Sequence, residues 1–301
     1  DLSIEDFFSI ETEKNSSFDI IVKKSQITFE KLKLNKNTKF DLFSTRNYSE
    51  VYKKGFGKFV LKNGKTLFYE PDKEVKLPNL IVYIFSNVFS YLLYQRKCIV
   101  LHGSAIEING SSYFFSGRSG VGKSTVVNNL RNLGTFLSED TCCFVENKIG
   151  FTIPKSLNFI KLDKKSNDNL YSYDTQADIR KRKIIQLELQ QDVSTNKFKT
   201  GFFLKYGVGK KIKRLTPAEA LKGFIANMRS SYPYPYDVAE QTHDLKTLTN
   251  IIKNSDFYNV YRDINEDFDL DEIKNLLWNY VSIRSLRIIK DMSISASIRK
   301  S

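Results

Sequence analysis

The hydrophobic positions of the chain fall into short blocks that predict strands and a few longer stretches that predict helices. The first 75 residues contain four such strand candidates: Phe18–Val22, Ile27–Leu32, Phe59–Lys62 and Thr66–Tyr69. The dipeptide Asn63-Gly64 separates the last two and is a strong signal for a β-hairpin. We therefore predict a β-rich N-terminal lobe over residues 1–75.

A longer apolar stretch from about Leu77 to Gln95 predicts a helix that packs this lobe onto the rest of the chain. Its apolar runs are short and are interrupted by Pro78, so we expect a buried helix and not a membrane span. We predict a core over residues 76–262 and a C-terminal helix and tail over residues 263–301. The expected class is α/β, with mixed α+β character.

The last third of the chain begins with a well-marked helix start. Thr216 is the expected N-cap, Pro217 occupies the first helical position, and Glu219 completes a capping box. Further along, Phe257–Tyr261 predicts a strand, and an amphipathic pattern predicts a last helix from about residue 270 to residue 280.

A glycine-rich motif occupies the middle of the predicted core. The sequence from Gly117 to Ser124, Gly-Arg-Ser-Gly-Val-Gly-Lys-Ser, fits the phosphate-binding pattern G-x-x-x-x-G-K-[ST] without a gap. The apolar run Tyr113-Phe114-Phe115 before it predicts a strand, and a helical pattern follows it, which is the arrangement the motif needs. The alternative is an ordinary glycine-rich turn that binds nothing.

The residue types in this motif suit ATP with Mg²⁺. Glycines let the backbone curl, so that successive N–H groups can point at phosphate oxygens. Lys123 can reach the β- and γ-phosphates, and the Ser124 hydroxyl is placed to coordinate Mg²⁺. The residues predicted to bind the nucleotide are Gly117, Arg118, Ser119, Gly120, Val121, Gly122, Lys123, Ser124 and Thr125.

Two acidic residues, Glu139 and Asp140, follow a short apolar run after the predicted loop helix. Carboxylates at the end of a strand can hold Mg²⁺ through water, or can accept a proton from an attacking hydroxyl group. The alternative is a solvated turn. His102 ends another predicted strand, where a single histidine is more often structural than functional.

The net charge of +13 and the pI near 9.4 suit an acidic protein substrate, a nucleic acid or a phosphorylated ligand. A solvated, lysine-rich surface explains the charge equally well. The densest clusters, Arg180–Lys183 and Lys210–Arg214, are not interleaved with aromatic residues for base stacking, which argues against a nucleic acid partner.

The three cysteines, Cys98, Cys142 and Cys143, form no C-x-x-C motif. This usage argues against a disulfide framework or a structural zinc site and fits a reducing compartment. With no signal peptide apparent, we expect a cytoplasmic protein with no membrane partner.

Several segments, taken in order, resemble HPr kinase/phosphorylase and its HPr-kinase-like relatives. They are Leu-His-Gly-Ser-Ala at 101–105, an Asn-Gly turn, an aromatic strand, Gly-Arg-Ser-Gly-Val-Gly-Lys-Ser-Thr at 117–125, Leu-Ser-Glu-Asp at 137–140 and Leu-Thr-Pro-Ala-Glu-Ala-Leu at 215–221. The resemblance covers about residues 50–262 and is sharpest from Leu101 to Val145. It looks closer to relatives encoded with peptide-modification systems than to the regulatory enzyme.

The resemblance implies a phosphoenolpyruvate-carboxykinase-like P-loop core and transfer of phosphate to a serine or threonine hydroxyl. In the family, the His-Gly motif lies beside the active site, the first acid after the loop helix is the general base, and the second lies near the metal. On this pattern the predicted catalytic residues are His102, Lys123, Glu139 and Asp140, and the predicted metal ligands are Ser124 and Asp140.

Two departures from the family pattern limit what the resemblance implies. The family usually has two aspartates where this chain has Glu139 and Asp140, which leaves the division between base and metal ligand open. The glutamate- and glycine-containing signature of the true HPr kinase/phosphorylases has no match, so neither phosphorylase activity nor HPr as substrate is implied. Further candidates for stabilising charge in the transition state are Lys155, Lys161 and Arg229.

The sequence thus predicts an ATP-dependent kinase, with a peptide or protein Ser/Thr as first choice of acceptor. The positive net charge is compatible with an acidic acceptor. The alternatives are a kinase for a small-molecule hydroxyl, such as a sugar or an amino acid, and a non-catalytic ATP-binding switch. The acid pair argues against the switch, because binding alone needs no base. Family members often form oligomers, so the resemblance also implies a homo-oligomer.

Overall fold

A computed structural model describes residues 20–147, 150–155, 159–162, 176–177, 183–186, 196–228 and 238–277 of the chain. The strands are β1 (Ile21–Lys24), β2 (Phe40–Ser44), β3 (Tyr48–Lys53), β4 (Gly57–Lys62), β5 (Thr66–Pro71), β6 (Ile99–Leu101), β7 (Gly103–Ile108), β8 (Ser111–Ser116), β9 (Thr135–Glu139), β10 (Cys142–Asn147), β11 (Gly150–Thr152), β12 (Phe159–Leu162), β13 (Gln176–Ala177), β14 (Lys183–Gln186), β15 (Lys197–Tyr206), β16 (Lys211–Arg214) and β17 (Asp256–Arg262).

The helices are α1 (Leu77–Tyr83), α2 (Phe89–Gln95), α3 (Lys123–Asn129), α4 (Pro217–Asn227) and α5 (Val238–Lys253). A π-helical segment, Ile84–Val88, joins α1 to α2, and a 3-10 turn, Arg131–Leu133, follows α3. Residues 270–277 are also helical. This mixture of helices and several sheets agrees with the predicted α/β class of mixed α+β character.

The first five strands form one sheet in the order β1-β5-β4-β3-β2. The β4–β5 hairpin turns at Asn63 and Gly64, which both have positive φ, at 55° and 62°. A type I′ turn requires this conformation at both central residues, and Asn-Gly is the dipeptide that favours it. The predicted hairpin is therefore confirmed, and residues 20–75 contain all five strands of this sheet.

The predicted helix from Leu77 to Gln95 is confirmed as the sequence α1, π segment and α2. Its buried side chains, among them Val88 and Leu92, pack with Leu61 and Leu67 of the N-terminal sheet in one hydrophobic cluster. On its other side, the Thr141 hydroxyl donates to the Ser86 carbonyl at 3.0 Å. The helix therefore contacts both the lobe and the part of the core that holds β9 and β10.

The strand predicted over Ile27–Leu32 is wrong, because these residues belong to a segment without strand pairing. The buried carboxylate of Glu50 accepts hydrogen bonds from the backbone N–H groups of Glu30, Lys31 and Leu32, at 2.7 to 3.1 Å. A side chain from β3 thus satisfies the donors that a neighbouring strand would otherwise take.

A six-stranded mixed sheet organises the rest of the chain, in the order β16-β17-β15-β8-β7-β9. Strand β15 runs parallel to both β8 and β17, whereas β7 runs antiparallel to β8 and to β9. The carboxyl ends of β8, β15 and β17 therefore lie at one edge of the sheet, together with the start of β7 and the end of β9. Strands β12, β13 and β14 form a separate three-stranded sheet in the order β12-β14-β13.

Both faces of the sheet are buried at β8, which explains the continuous apolar run Tyr113-Phe114-Phe115. Tyr113 and Phe115 belong to a cluster that includes buried residues of α3 and Ile273 of the 270–277 helix. Phe114, on the other face, packs in a second cluster with Phe224 of α4 and Leu248 of α5. The two layers hold the sheet edge that carries the glycine motif.

The capping box predicted for α4 is confirmed. The Thr216 side chain accepts a hydrogen bond from the Glu219 N–H, and the Glu219 carboxylate accepts one from the Thr216 N–H. The strand predicted at Phe257–Tyr261 is β17. Within the described ranges, no helix is both long enough and apolar enough to cross a membrane.

Candidate active site

The candidate site lies at the sheet edge where β7 is paired on both sides. Gly103 pairs with Ser116 of β8, and Ser104 pairs with Glu139 of β9. The Ser116 hydroxyl also donates to the His102 carbonyl at 2.6 Å. Strand pairing therefore brings the His-Gly dipeptide, the start of the glycine loop and the acid pair to one place.

The loop between β8 and α3 has the conformation that its glycines allow. Gly117, Gly120 and Gly122 have φ values of 149°, 84° and 108°, in the region that favours glycine. A Cβ at Gly117 would lie 2.5 Å from the Leu204 carbonyl oxygen, so the loop passes close to β15. The predicted order of strand, glycine loop and helix is present.

The residues of the loop divide into an exposed set and a buried set. Arg118, Ser119 and Gly120 are exposed at its tip, as is Thr125 on α3. Val121 is buried with 1% exposure and belongs to the core cluster under α3. The buried apolar side chain of Val121 thus anchors the loop next to its exposed tip.

Lys123 extends back into the loop and is buried with 6% exposure. Its Nζ donates to the carbonyl oxygens of Gly117 at 2.9 Å and Arg118 at 3.2 Å. The ammonium group is thus held at the concave side of the loop, where the motif predicts that it meets phosphate oxygens.

Ser124 links the loop helix to the acid pair. Its Oγ donates to Oε1 of Glu139 at 2.5 Å, and Glu139 is fully buried at the end of β9. A hydroxyl and a carboxylate in contact supply two of the hard oxygen ligands that Mg²⁺ prefers. In the described part of the chain, no three His, Cys, Asp or Glu side chains form a metal-binding group by themselves.

Asp140 has a positive φ of 63°, which is uncommon for a residue with a Cβ. The Thr141 N–H donates to the Glu139 carbonyl at 2.7 Å, which closes a three-residue γ-turn around Asp140. This turn separates the two carboxylates, so that Glu139 faces Ser124 while the Asp140 side chain remains 15% exposed. Sparsely populated backbone conformations of this kind cluster at functional sites.

His102 lies against Asp140. Its Nδ1 is 3.1 Å from the Asp140 carbonyl oxygen and 4.0 Å from Oδ1 of the same residue. The imidazole is 30% exposed, so it borders the solvent side of the site. Gly103, which follows it, admits no side chain, because a Cβ there would lie 2.2 Å from the Phe114 ring. The His-Gly dipeptide thus combines a side chain at the site with tight packing behind it.

Two of the three further candidates for stabilising transition-state charge lie in the described part of the chain. Lys155 follows β11, and burial lowers the pKa of its ammonium group. Lys161 belongs to β12, and Arg229 lies outside the described residues.

Two residues that the sequence did not single out contact the back of the glycine loop. The Arg262 guanidinium donates to the Val121 carbonyl, with Nη2 at 3.2 Å, and the Tyr206 hydroxyl donates to the Gly120 carbonyl at 3.1 Å. Arg262 ends β17 and Tyr206 ends β15, which are parallel to each other. Their position at the carboxyl ends of two strands is the sequence signal that could have identified them, because the carboxyl ends of parallel strands meet at one edge of a sheet.

The comparisons with known proteins give distant structural similarity and no sequence match. No family model matches the sequence, and no curated protein matches it. Among solved structures, the chain is similar to the HPr(Ser) kinase/phosphatase from Coxiella burnetii, at 7% identity and a TM-score of 0.32, over 65% of this chain and 97% of that chain. At this TM-score the similarity does not establish a shared fold, and the roles of the site residues stay predictions.

Proposed function

We propose that the protein is an ATP-dependent kinase that transfers the γ-phosphate to a serine or threonine hydroxyl of a peptide or protein. One observation carries the proposal: Ser124, the hydroxyl of the phosphate-binding motif, is hydrogen bonded to Glu139 of the acid pair. This contact brings the acid pair next to the motif, and a base such as the adjacent Asp140 is not needed for binding alone.

The residues of the loop suit ATP with Mg²⁺. A Cβ at Gly120 would meet nothing within 4 Å, so the tip of the loop is open. Lys123 would hold the β- and γ-phosphates, and the oxygens of Ser124 and Glu139 would hold the metal. Bound Mg²⁺ would supply neutralisation of the charge that develops on the phosphates.

We assign the metal side of the site to Glu139 and the base to Asp140, which reverses the division that the family resemblance implies. Glu139 is fully buried and bonded to Ser124, whereas the Asp140 carboxylate is partly exposed and lies 4.0 Å from His102 Nδ1. A base must reach the proton of an incoming substrate, so the exposed carboxylate suits this task. His102 would orient Asp140 through contacts to its backbone carbonyl.

In this proposal the acceptor oxygen attacks the γ-phosphorus, the bond from that phosphorus to the β–γ bridging oxygen breaks, and ADP leaves. Asp140 accepts the hydroxyl proton. Lys123 offsets negative charge on the transferred group. Phosphoryl transfer depends mostly on positioning and electrostatic stabilisation, so these few groups suffice.

The choice of a peptide or protein acceptor follows from the sequence resemblance to HPr-kinase-like proteins. The net charge of +13 is compatible with an acidic acceptor. Because the P-loop motif is common to many functions, fold and motif by themselves do not select the acceptor.

The test is incubation of the protein with γ-labelled ATP and Mg²⁺, together with the proteins and peptides encoded beside its gene. Label on a serine or threonine of one of them, lost in the Asp140→Asn variant, is the expected result. Label on a small molecule in a metabolite extract would replace the peptide acceptor by a small-molecule hydroxyl. Nucleotide binding without any labelled product would favour the non-catalytic switch and contradict the kinase.

A further inference from the structure

We propose that Arg262 and Tyr206 are positioning residues that fix the conformation of the glycine loop from behind. The part of this inference that concerns ATP affinity rests on the proposed function. Neither residue belongs to the motif, and Arg262 is 141 residues away from its contact in the sequence.

Arg262 holds the loop through the carbonyl oxygen of Val121. Its Nε lies 3.4 Å and its Nη2 lies 3.2 Å from that oxygen, so two nitrogen atoms of one guanidinium share one acceptor. Hydrogen bonds from a charged donor are stronger than neutral ones. Tyr206 adds a second contact one residue earlier, at the Gly120 carbonyl.

The guanidinium group is itself fixed by its surroundings. Its Cζ lies 4.9 Å from the Tyr206 ring centroid and 5.0 Å from the Phe268 ring centroid, and both contacts are of the cation–π type. Its Nη1 donates to the Glu266 carbonyl in the segment that follows β17. Arg262 therefore links the glycine loop to β15, to β17 and to the segment that follows β17.

Holding these two carbonyls also orients the loop N–H groups. A trans peptide unit is planar, and its N–H points opposite to its C=O. Because the Val121 carbonyl points at Arg262, the Gly122 N–H in the same peptide unit points away from Arg262. The peptide unit after Gly120 behaves likewise, and its Val121 N–H donates to the Arg118 carbonyl at 3.2 Å.

Gly122 has a backbone conformation that favours glycine. Its φ is 108°, and a Cβ there would lie 3.4 Å from the Phe268 ring and 3.8 Å from Arg262 Nη2. The back of the loop is therefore close to the side chains that hold it. A loop held in advance loses less conformational entropy when a phosphate binds, so it binds more tightly than a mobile loop.

The first experiment measures hydrogen exchange of the ligand-free protein over residues 117–122. In Arg262→Ala we expect these amides to exchange at least threefold faster than in the wild type. Tyr206→Phe keeps the ring but removes the hydroxyl, so we expect a smaller increase in the same segment. The matched control is Arg214→Ala, which removes an exposed arginine from the neighbouring strand β16, where it pairs with Asp256 at 2.5 Å. Its loop exchange should equal that of the wild type.

The second experiment measures affinity for ATP with Mg²⁺ by titration. Loss of the arginine contacts should weaken binding by roughly tenfold, which corresponds to about 1.4 kcal/mol. Arg262→Lys keeps the charge but replaces the planar fork by one ammonium, so we expect intermediate affinity. Thermal unfolding of each variant shows whether the fold is intact, and Tyr206→Phe provides a second variant if Arg262→Ala does not fold.

The two readouts separate this inference from the proposed function. Unchanged loop exchange in both Arg262→Ala and Tyr206→Phe would overturn the positioning role, whatever the affinity. Faster exchange confined to residues 117–122 supports it, even where ATP does not bind. Failure of the wild-type protein to bind ATP would instead contradict the proposed function.

Discussion

Ser124 donates a hydrogen bond of 2.5 Å to the carboxylate of Glu139, although 15 residues separate them in the sequence. The contact exists because β9 pairs with β7 and β7 pairs with β8, so the end of β9 lies beside the loop that leaves β8. A hydroxyl of the glycine-rich motif is thus adjacent to a buried carboxylate. The first prediction concerns the metal that these two oxygens would share.

Replacing Glu139 by glutamine should weaken binding of ATP mainly when Mg²⁺ is present. The substitution keeps the shape of the side chain and removes the negative charge that a divalent cation prefers. We expect the dissociation constant with Mg²⁺ to rise by about 10-fold or more, and the value measured in chelator to change by less than about threefold. Titration of each variant with and without Mg²⁺ measures both.

Asp140→Asn is the matched control for this titration, because it neutralises the adjacent carboxylate. We expect its affinity for ATP with Mg²⁺ to stay within about threefold of the wild type. An equal loss of affinity for Glu139→Gln with and without Mg²⁺ would show that the carboxylate supports the fold of the site and not the metal.

Replacing His102 by alanine should lower the rate of transfer and leave ATP affinity nearly unchanged. His102 contacts the Asp140 carbonyl at 3.1 Å, so its loss releases the turn that carries the proposed base. Misplacement of a catalytic group by about 1 Å can cost roughly 100-fold in rate. Steady-state kinetics separate kcat from KM, and we expect the change in kcat.

The chain offers a matched control, since it contains two histidines and the other, His243, is exposed on α5. His243→Ala should retain the wild-type rate. A His102→Ala variant with unchanged kcat would remove His102 from the site.

Replacing Gly117 by alanine should destabilise the protein. A Cβ would lie 2.5 Å from the Leu204 carbonyl oxygen and 3.0 Å from a Val121 methyl group, at a φ of 149°. Strain of this kind costs about 1–3 kcal/mol per residue, measurable as a lower midpoint of urea unfolding.

The control is Gly110→Ala, in a turn where φ is 72° but a Cβ would meet nothing within 4 Å. It carries the strain of positive φ without the clash, so its midpoint should fall less. Equal decreases in the urea midpoint of the two variants would contradict a costly clash at Gly117, because they would show that the loop can move away from β15 at little cost.

The stability of the N-terminal lobe should depend on the ionisation of Glu50. Burial raises the pKa of this carboxyl, but hydrogen bonds from the Tyr48 hydroxyl and from the N–H groups of Leu32, Glu30 and Lys31 together bring it below the ordinary value. A depressed folded-state pKa means that the stabilisation is complete above the unfolded pKa, about 4.3, and is lost as pH falls through the folded pKa.

Urea unfolding of wild type and Glu50→Gln between pH 3 and pH 7 measures this contribution. We expect the wild type to be the more stable protein at pH 7 and the difference to shrink as the pH falls below about 4.3. The exposed Glu74 provides the control variant Glu74→Gln. A stability difference that is constant over the whole range would exclude ionisation of Glu50 as its source.

Features decided by neighbouring residues were predictable from the sequence. The hairpin at Asn63-Gly64, the capping box of Thr216 and Glu219 and the turn at the glycine motif each depend on a few adjacent side chains. The strand at Tyr113–Phe115 was predictable because burial on both faces gives a continuous apolar run. The sequence also linked the acid pair to the loop, through its position at a strand end after the loop helix and through the family resemblance.

Features decided by distant residues were not predictable. The pattern at Ile27–Leu32 suits a strand, and nothing near it indicates that Glu50 takes up its N–H groups. Arg262 follows a correctly predicted strand, but its contact with Val121 depends on the order of strands in the sheet. Sequence patterns give strands without their neighbours, and the neighbours determine which side chains reach the loop.

The most direct test of the kinase is phosphate transfer from γ-labelled ATP by the Lys123→Ala variant. Lys123 is the cation at the concave side of the loop, so its removal should abolish transfer while the fold persists. Lys197→Ala removes an exposed lysine at the opposite end of β15 and should transfer phosphate like the wild type. Turnover by Lys123→Ala at the wild-type rate would contradict the assignment of this loop as the site of phosphoryl transfer.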